Sequence, residues 1–137
     1  MNTIFTRIVT GEIPADKVLE DDDHLAFLDI VPIQPGHVLC IPKREVGYLF
    51  DMTPEAQAAL WSFVRRVEVG VRQATGCKRV VVMVVGWEVP HVHVHLIPTN
   101  GISDFPVPPK MSIPAPERAA MAARMREALG AVGSGGG

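Results

Sequence analysis

His91-Val92-His93-Val94-His95-Leu96-Ile97-Pro98 sets three imidazoles at alternate positions, and a β-strand sends alternate side chains to one face. Val92, Val94, Leu96 and Ile97 are β-branched or aliphatic, so the segment reads as a strand whose other face is buried. Three of the five histidines therefore share one short surface. Three readings compete for that row. In the first they are half-buried polar residues making local hydrogen bonds, the usual fate of a single strand histidine. In the second they bind zinc or another transition metal. Such a site needs carboxylates behind its ligands; the nearest in sequence is Glu88, and Cys40 and Cys77 are too far apart to make a local cysteine pair. In the third, one imidazole is a nucleophile and its neighbours orient it and supply protons.

Working outward, the chain reads as an α+β alternation. The run 79–85 is a long apolar strand before the histidine strand near 91–98, with Gly86 at the bend between them. Thr53 reads as a helix N-cap with Pro54 at the first helical position, and Leu60, Val64, Val67 and Val71 recur at helical spacing until Gly76 closes the principal helix. Upstream, 37–42 and the pair 17–20 and 25–28 read as strands, the pair joined at the acidic turn Glu20-Asp21-Asp22-Asp23. His24, following that turn, reads as solvated surface. Residues 4–9 read as a short N-terminal helix ended by Gly11 and Pro14. Met121, Met125 and Leu129 mark one face of a C-terminal helix near 116–130.

Composition bounds the function. At 137 residues the chain has room for one domain, expected over 1–132, with Gly-Ser-Gly-Gly-Gly at 133–137 as a flexible tail. A net charge of −2 with scattered lysines and arginines gives no basic stripe, so no nucleic-acid partner is expected. No apolar run approaches the roughly 18 residues of a membrane span, and Met1-Asn2-Thr3 shows no charged-then-apolar leader, so a cytoplasmic protein is expected. Cys40 and Cys77 read as packed thiols rather than a disulfide framework.

The histidine strand resembles the signature of the histidine triad (HIT) proteins, His-φ-His-φ-His-φ-φ with φ hydrophobic. Ile4-Phe5, Gly11-Glu12-Ile13-Pro14, Glu20-Asp21-Asp22, Ala26-Phe27-Leu28-Asp29-Ile30 and Pro35-Gly36-His37-Val38-Leu39-Cys40-Ile41-Pro42-Lys43 fall in the family's order. Several separated motifs in order are far more specific than the triad alone. The resemblance implies a HIT-like α+β fold, an antiparallel sheet with one principal helix, a short N-terminal helix and a C-terminal helix. It further implies a homodimer in which the principal helix and a sheet edge meet the partner.

The same resemblance implies chemistry. His93 matches the nucleophile that forms a nucleotidyl-histidine intermediate, which water then hydrolyses. His91 matches a neighbour that fixes its orientation, His95 a group near the α-phosphate and leaving group, and His37 a fourth histidine of the proton network. Phe5, Ile8, Phe27, Ile30 and Leu39 match positions around the base, and Asp29 a carboxylate accepting from the ribose hydroxyls, whose two oxygens suit two vicinal donors. An acid inside Ala26-Phe27-Leu28-Asp29-Ile30 in any case needs a partner. The implied activity is a nucleotide hydrolase or nucleotidyl transferase acting at the α-phosphate of a purine nucleotide derivative, of the adenosine phosphoramidate or dinucleoside polyphosphate type. A nucleotide-binding or scaffold protein with little catalysis is the alternative, followed by a metal-dependent hydrolase.

Two segments depart from the family pattern. Many members carry an Asn and then Gly-Gln-Ser or Gly-Gln-Thr before the triad, whereas this chain has Val84-Val85-Gly86-Trp87-Glu88-Val89-Pro90. Trp87, Glu88 and Val89 stand where the family holds ribose and phosphate, and a Glu cannot replace a hydroxyl donor, although backbone N–H groups can serve. The Trp87 ring is expected either to cover the phosphate end of the site or to pack on the body or dimer contact. Some members bind structural zinc through a Cys-x-x-Cys flanking the Ile-Phe pair, but those places hold Thr3 and Thr6. No metal and no cofactor are expected.

Overall fold

Residues 2–136 are described by a computed structural model, with side chains as far as Ala131; the Gly/Ser stretch expected to be a tail at 133–137 lies outside the fully described residues. The chain divides into two compact units, Met1–Pro106 and Val107–Gly137, so the expected 1–132 domain spans both. The first runs α1 (Ile4–Val9), β1 (Lys17–Glu20), β2 (His24–Leu28), β3 (Val38–Pro42), α2 (Pro54–Thr75), β4 (Arg79–Val84) and β5 (Val94–Thr99). The second holds α3 (Ala115–Gly136), the C-terminal helix that Met121, Met125 and Leu129 marked.

The strands form one antiparallel sheet in the order β1-β2-β3-β5-β4. Alternation along each strand assigns its residues to two different cores. Ala26, Val38, Cys40, Val94 and Leu96 pack with Leu60, Phe63, Val64, Val67 and Val71 of α2. The residues between them, Leu25, Phe27, Leu39 and Ile41, pack with Phe5 and Ile8 of α1. The α2 face is thus the larger core, and the α1 face carries the histidines.

Helix α2 forms where its end signals place it. The Thr53 hydroxyl accepts from the Ala56 N–H at 3.1 Å, Pro54 gives up no needed donor, and Gly76 closes the helix at φ 68°, its N–H reaching the Arg72 carbonyl. Gly36 is a second necessary glycine: at φ 91° it has a left-handed backbone, and a Cβ there would lie 2.8 Å from the Thr75 methyl.

Two expectations change. The histidine strand begins at Val94 rather than near 91. Pro90 has no N–H to give a ladder, the His91 N–H turns back to the Val89 carbonyl at 2.8 Å, and the Val92 N–H bonds the Val46 carbonyl at 2.7 Å, so His91 and His93 stand on a bent lead-in held by a loop. His24 is not solvated surface. It is 6% exposed, stacks on Phe63 with centroids 5.0 Å apart, and its Nδ1 lies 3.0 Å from the Asp21 carboxylate. Asp21 also accepts from the N–H groups of Asp23 and His24, so this acidic turn is a hydrogen-bonded hairpin.

Candidate active site

Alternation gives the site its direction. Val94 and Leu96 of β5 point into the α2 core, so His95 points to the other face, and His91 and His93, ahead of the strand, reach that face through the Phe5 ring. There the Phe5 ring meets His93 edge-on at 4.8 Å and lies 5.8 Å from His91, while the His93 and His95 rings are 4.9 Å apart. The structure brings the four implicated histidines into one connected group.

Backbone partners fix where the protons sit. The Ile33 N–H donates to His37 Nδ1 at 3.0 Å, so the His37 proton is on Nε2. That Nε2–H donates to His95 Nδ1 at 2.9 Å, which leaves the His95 proton on its own Nε2. His93 Nδ1–H donates to the His91 carbonyl at 2.7 Å, and His93 Nε2 therefore carries a lone pair. His91 Nε2–H donates to the Pro42 carbonyl at 2.8 Å, and its Nδ1 accepts from the Thr3 hydroxyl at 2.9 Å. Each ring is held in one tautomer by a neighbour of fixed polarity.

Burial favours the neutral form of His37, His91 and His95. It lowers His37 against the opposing pull of Asp29, and lowers His91 against the Pro42 carbonyl and Glu45. His95 falls to about 4, first through burial and then through the proximity of His93 and His37.

Asp29, His37 and His95 each offer an atom within 4.8 Å of the others, a possible cation cradle. The donor set argues against it. His37 would have to bind through Nε2, the nitrogen that the Ile33 N–H leaves protonated, and metal ligation requires a lone pair. Asp29 instead accepts the Val31 N–H at 3.0 Å with one oxygen and places the other 3.6 Å from His37 Nε2.

The apolar residues read as a base pocket divide. Phe5, Ile8, Phe27 and Leu39 form one buried cluster against which Val89 packs, with Phe5 and Phe27 rings 5.7 Å apart. Ile30 stands outside that cluster at 85% exposure. Glu88 is exposed, and Trp87 is 95% exposed in a groove with Tyr48, Phe50, Val84, Val85 and Val92. Val92 belongs to the α2 core, and no histidine lines this groove. Sequence reasoning missed Glu45, whose Oε1 accepts from the Thr3 N–H and the Thr6 hydroxyl. The readable part of that signal is Thr3 three residues before Thr6, the spacing of an N-cap.

Residues 10–102 match the HIT domain profile, and the chain belongs to that family. It is 41% identical over 101 residues to a HIT-like protein of Synechococcus elongatus, covering 70% of this chain and 89% of that one. Adenosine 5'-monophosphoramidase hnt1 of Schizosaccharomyces pombe is 36% identical over 103 residues, covering 72% and 74%. Among solved structures, a HIT family member from Bacillus subtilis superposes with a TM-score of 0.81 at 28% identity, covering 93% of this chain and 96% of the other. No helix among the described residues is long and apolar enough to cross a membrane.

Proposed function

We propose that this protein is a nucleotide hydrolase that cleaves purine nucleotide derivatives at the α-phosphate, of the adenosine phosphoramidate or dinucleoside polyphosphate type, through a nucleotidyl intermediate on His93. The observation that carries the reading is the His93 ring. Its Nδ1–H is held by the His91 carbonyl, so Nε2 is a nucleophile that needs no prior deprotonation. In the first step the His93 Nε2–phosphorus bond forms as the bond to the leaving group breaks. In the second, water displaces His93 from phosphorus, releasing the nucleoside monophosphate. One water is consumed overall, its hydroxyl going to phosphorus and its proton to the leaving group.

His95 Nε2–H, oriented by His37, donates to the phosphoryl oxygens or the leaving atom. Asp29 receives the ribose hydroxyls on the oxygen that faces His37, and the Phe5, Ile8, Phe27 and Leu39 cluster supplies the apolar wall for the base. The activity named for the fission-yeast relative supports a phosphoramidate as the first substrate to try.

The reading includes a homodimer. Among the described residues no strand lies beside the outer edge of β4, and Val82 and Val84 on that strand, with Trp61 and Val69 on α2, are exposed. Such an apolar strand edge is normally covered. Sedimentation should give twice the chain mass.

The deciding experiment is rapid quenching of adenosine phosphoramidate turnover into alkaline denaturant, which preserves the acid-labile phosphorus–nitrogen bond, followed by peptide mass analysis at alkaline pH. One adenylyl group on the His93 peptide is expected. Turnover without that adduct would overturn the mechanism, and nucleotide binding without turnover would make this a binding protein.

A further inference from the structure

Glu45 lies on the loop after β3, outside the histidine group, yet it anchors the segment that touches both His91 and His93. Its Oε1 accepts the Thr3 N–H at 2.7 Å and the Thr6 hydroxyl at 2.8 Å. The second bond decides which hydroxyl serves His91. Because the Thr6 hydroxyl donates to Glu45, its oxygen 3.4 Å from His91 Nδ1 has no hydrogen to offer that nitrogen. The hydrogen bond to His91 Nδ1 must then come from the Thr3 hydroxyl at 2.9 Å, whose oxygen in turn accepts the Thr6 N–H as the cap of α1. The Pro42 carbonyl keeps the His91 proton on Nε2, so Thr3 meets a lone pair and holds the other side of the ring. With both ring nitrogens held, the His91 peptide is fixed as well, and its carbonyl is the acceptor that sets the His93 tautomer.

A second arm runs through Phe5. It sits between Thr3 and Thr6 in α1, so the carboxylate that pins those two threonines also holds the Phe5 ring 4.8 Å from His93.

We propose that Glu45 is a positioning residue for the nucleophile: through Thr3 and Thr6 it fixes the placement of the His91 ring and the Phe5 ring, and through them the orientation of His93. The carboxylate is held in its ionised form by the same Thr3 and Thr6 hydrogen bonds, so the anchor operates across the neutral range. The effect on rate rests on the hydrolase reading above; the effect on the His91 ring does not.

The test compares Glu45→Ala with Glu45→Gln in the full-length protein. The Gln amide oxygen still accepts from Thr3 and Thr6, so Gln should rescue what Ala loses. With adenosine phosphoramidate, Glu45→Ala should lower kcat roughly ten-fold or more with KM little changed, and Glu45→Gln should recover to within about three-fold. Long-range proton–nitrogen NMR of protein with 15N-labelled histidine supplies a readout independent of turnover. All three proteins should show His91 protonated at Nε2 and His93 at Nδ1; the wild type and Glu45→Gln should share the His91 Nδ1 nitrogen shift of a hydrogen-bonded lone pair, and Glu45→Ala should displace it. An unchanged His91 Nδ1 shift in a folded Glu45→Ala protein would overturn the proposal whether or not the wild type is an enzyme. So would a Glu45→Ala kcat equal to wild type, or a loss that Gln does not rescue. If Glu45→Ala does not fold, Glu45→Gln with Thr6→Val gives the same comparison, with the Thr6 arm alone removed.

Discussion

Val94 and His95 are consecutive residues of β5 that face opposite ways, and the two faces of the sheet they represent are built on different principles. Val94 is wholly buried in the α2 core, where Leu60, Phe63 and Val67 fill space without any polar obligation. His95 faces a surface where rings are placed by hydrogen bonds running back to backbone groups at Ile33, Pro42 and His91. Packing on the first face is tolerant of chemistry and intolerant of lost volume. The second face has the reverse sensitivity, because moving one proton changes what a ring can do while leaving its shape alone. Stability and reactivity are thus separated across a layer one strand thick.

The largest expected effect breaks the second face only. His93→Ala should reduce kcat by several orders of magnitude, as losing an attacking group does, while nucleoside monophosphate still binds, since Asp29 and the Phe5 cluster are untouched. Calorimetric titration beside a turnover assay checks both halves; turnover within a few-fold of wild type would remove His93 from the mechanism.

Leu60→Ala reverses the pattern. Leu60 is 0% exposed on the α2 face, and truncating such a residue costs about 2–5 kcal/mol. A urea midpoint well below wild type is expected, with adenylylation of His93 unchanged at temperatures where the variant stays folded.

Acid should find the second face first. His95, lowered to about 4, and His37 and His91, also lowered, are neutral in the fold, whereas in the unfolded chain histidines take up protons near pH 6.5. The unfolded state therefore binds more protons below that value. Stability from this source is whole above about pH 6.5 and is lost as pH falls toward 4, by roughly 3 kcal/mol for His95. Melting temperature should fall as pH is lowered through that interval, and His95→Gln should weaken the dependence.

The smallest effect belongs to Trp87. At 95% exposure in a groove that no histidine lines, its replacement by Ala should alter stability by no more than about 0.5 kcal/mol and leave the order of kcat/KM among leaving groups unchanged. A changed order would bring the Gly86-Trp87-Glu88 turn back to the phosphate.

What the sequence reveals follows the range of each interaction. The caps of α2 are local, so Thr53, Pro54 and Gly76 mark its ends directly. The facing of the three histidines is legible because alternation is local too. The start of β5 is not, since it depends on Val92 bonding Val46 across the fold. His24 looks solvated beside its acidic neighbours until Phe63, on a distant helix, covers it. Glu45 is the clearest case: its charge reads as surface, and its role exists only because folding brings it to Thr3 and Thr6.

The two cysteines turn this architecture into a clock. Cys40 lies in the middle of the α2 core with its thiol pushed up to about 12, so at neutral pH almost none of it is the thiolate that reacts with alkylating reagents. Cys77 is only partly buried, just past the end of α2. An excess of a thiol-directed dye should attach one label promptly at Cys77. A second label must wait until the sheet and α2 separate, so the rate of double labelling measures how often the larger core opens under conditions that leave the protein folded.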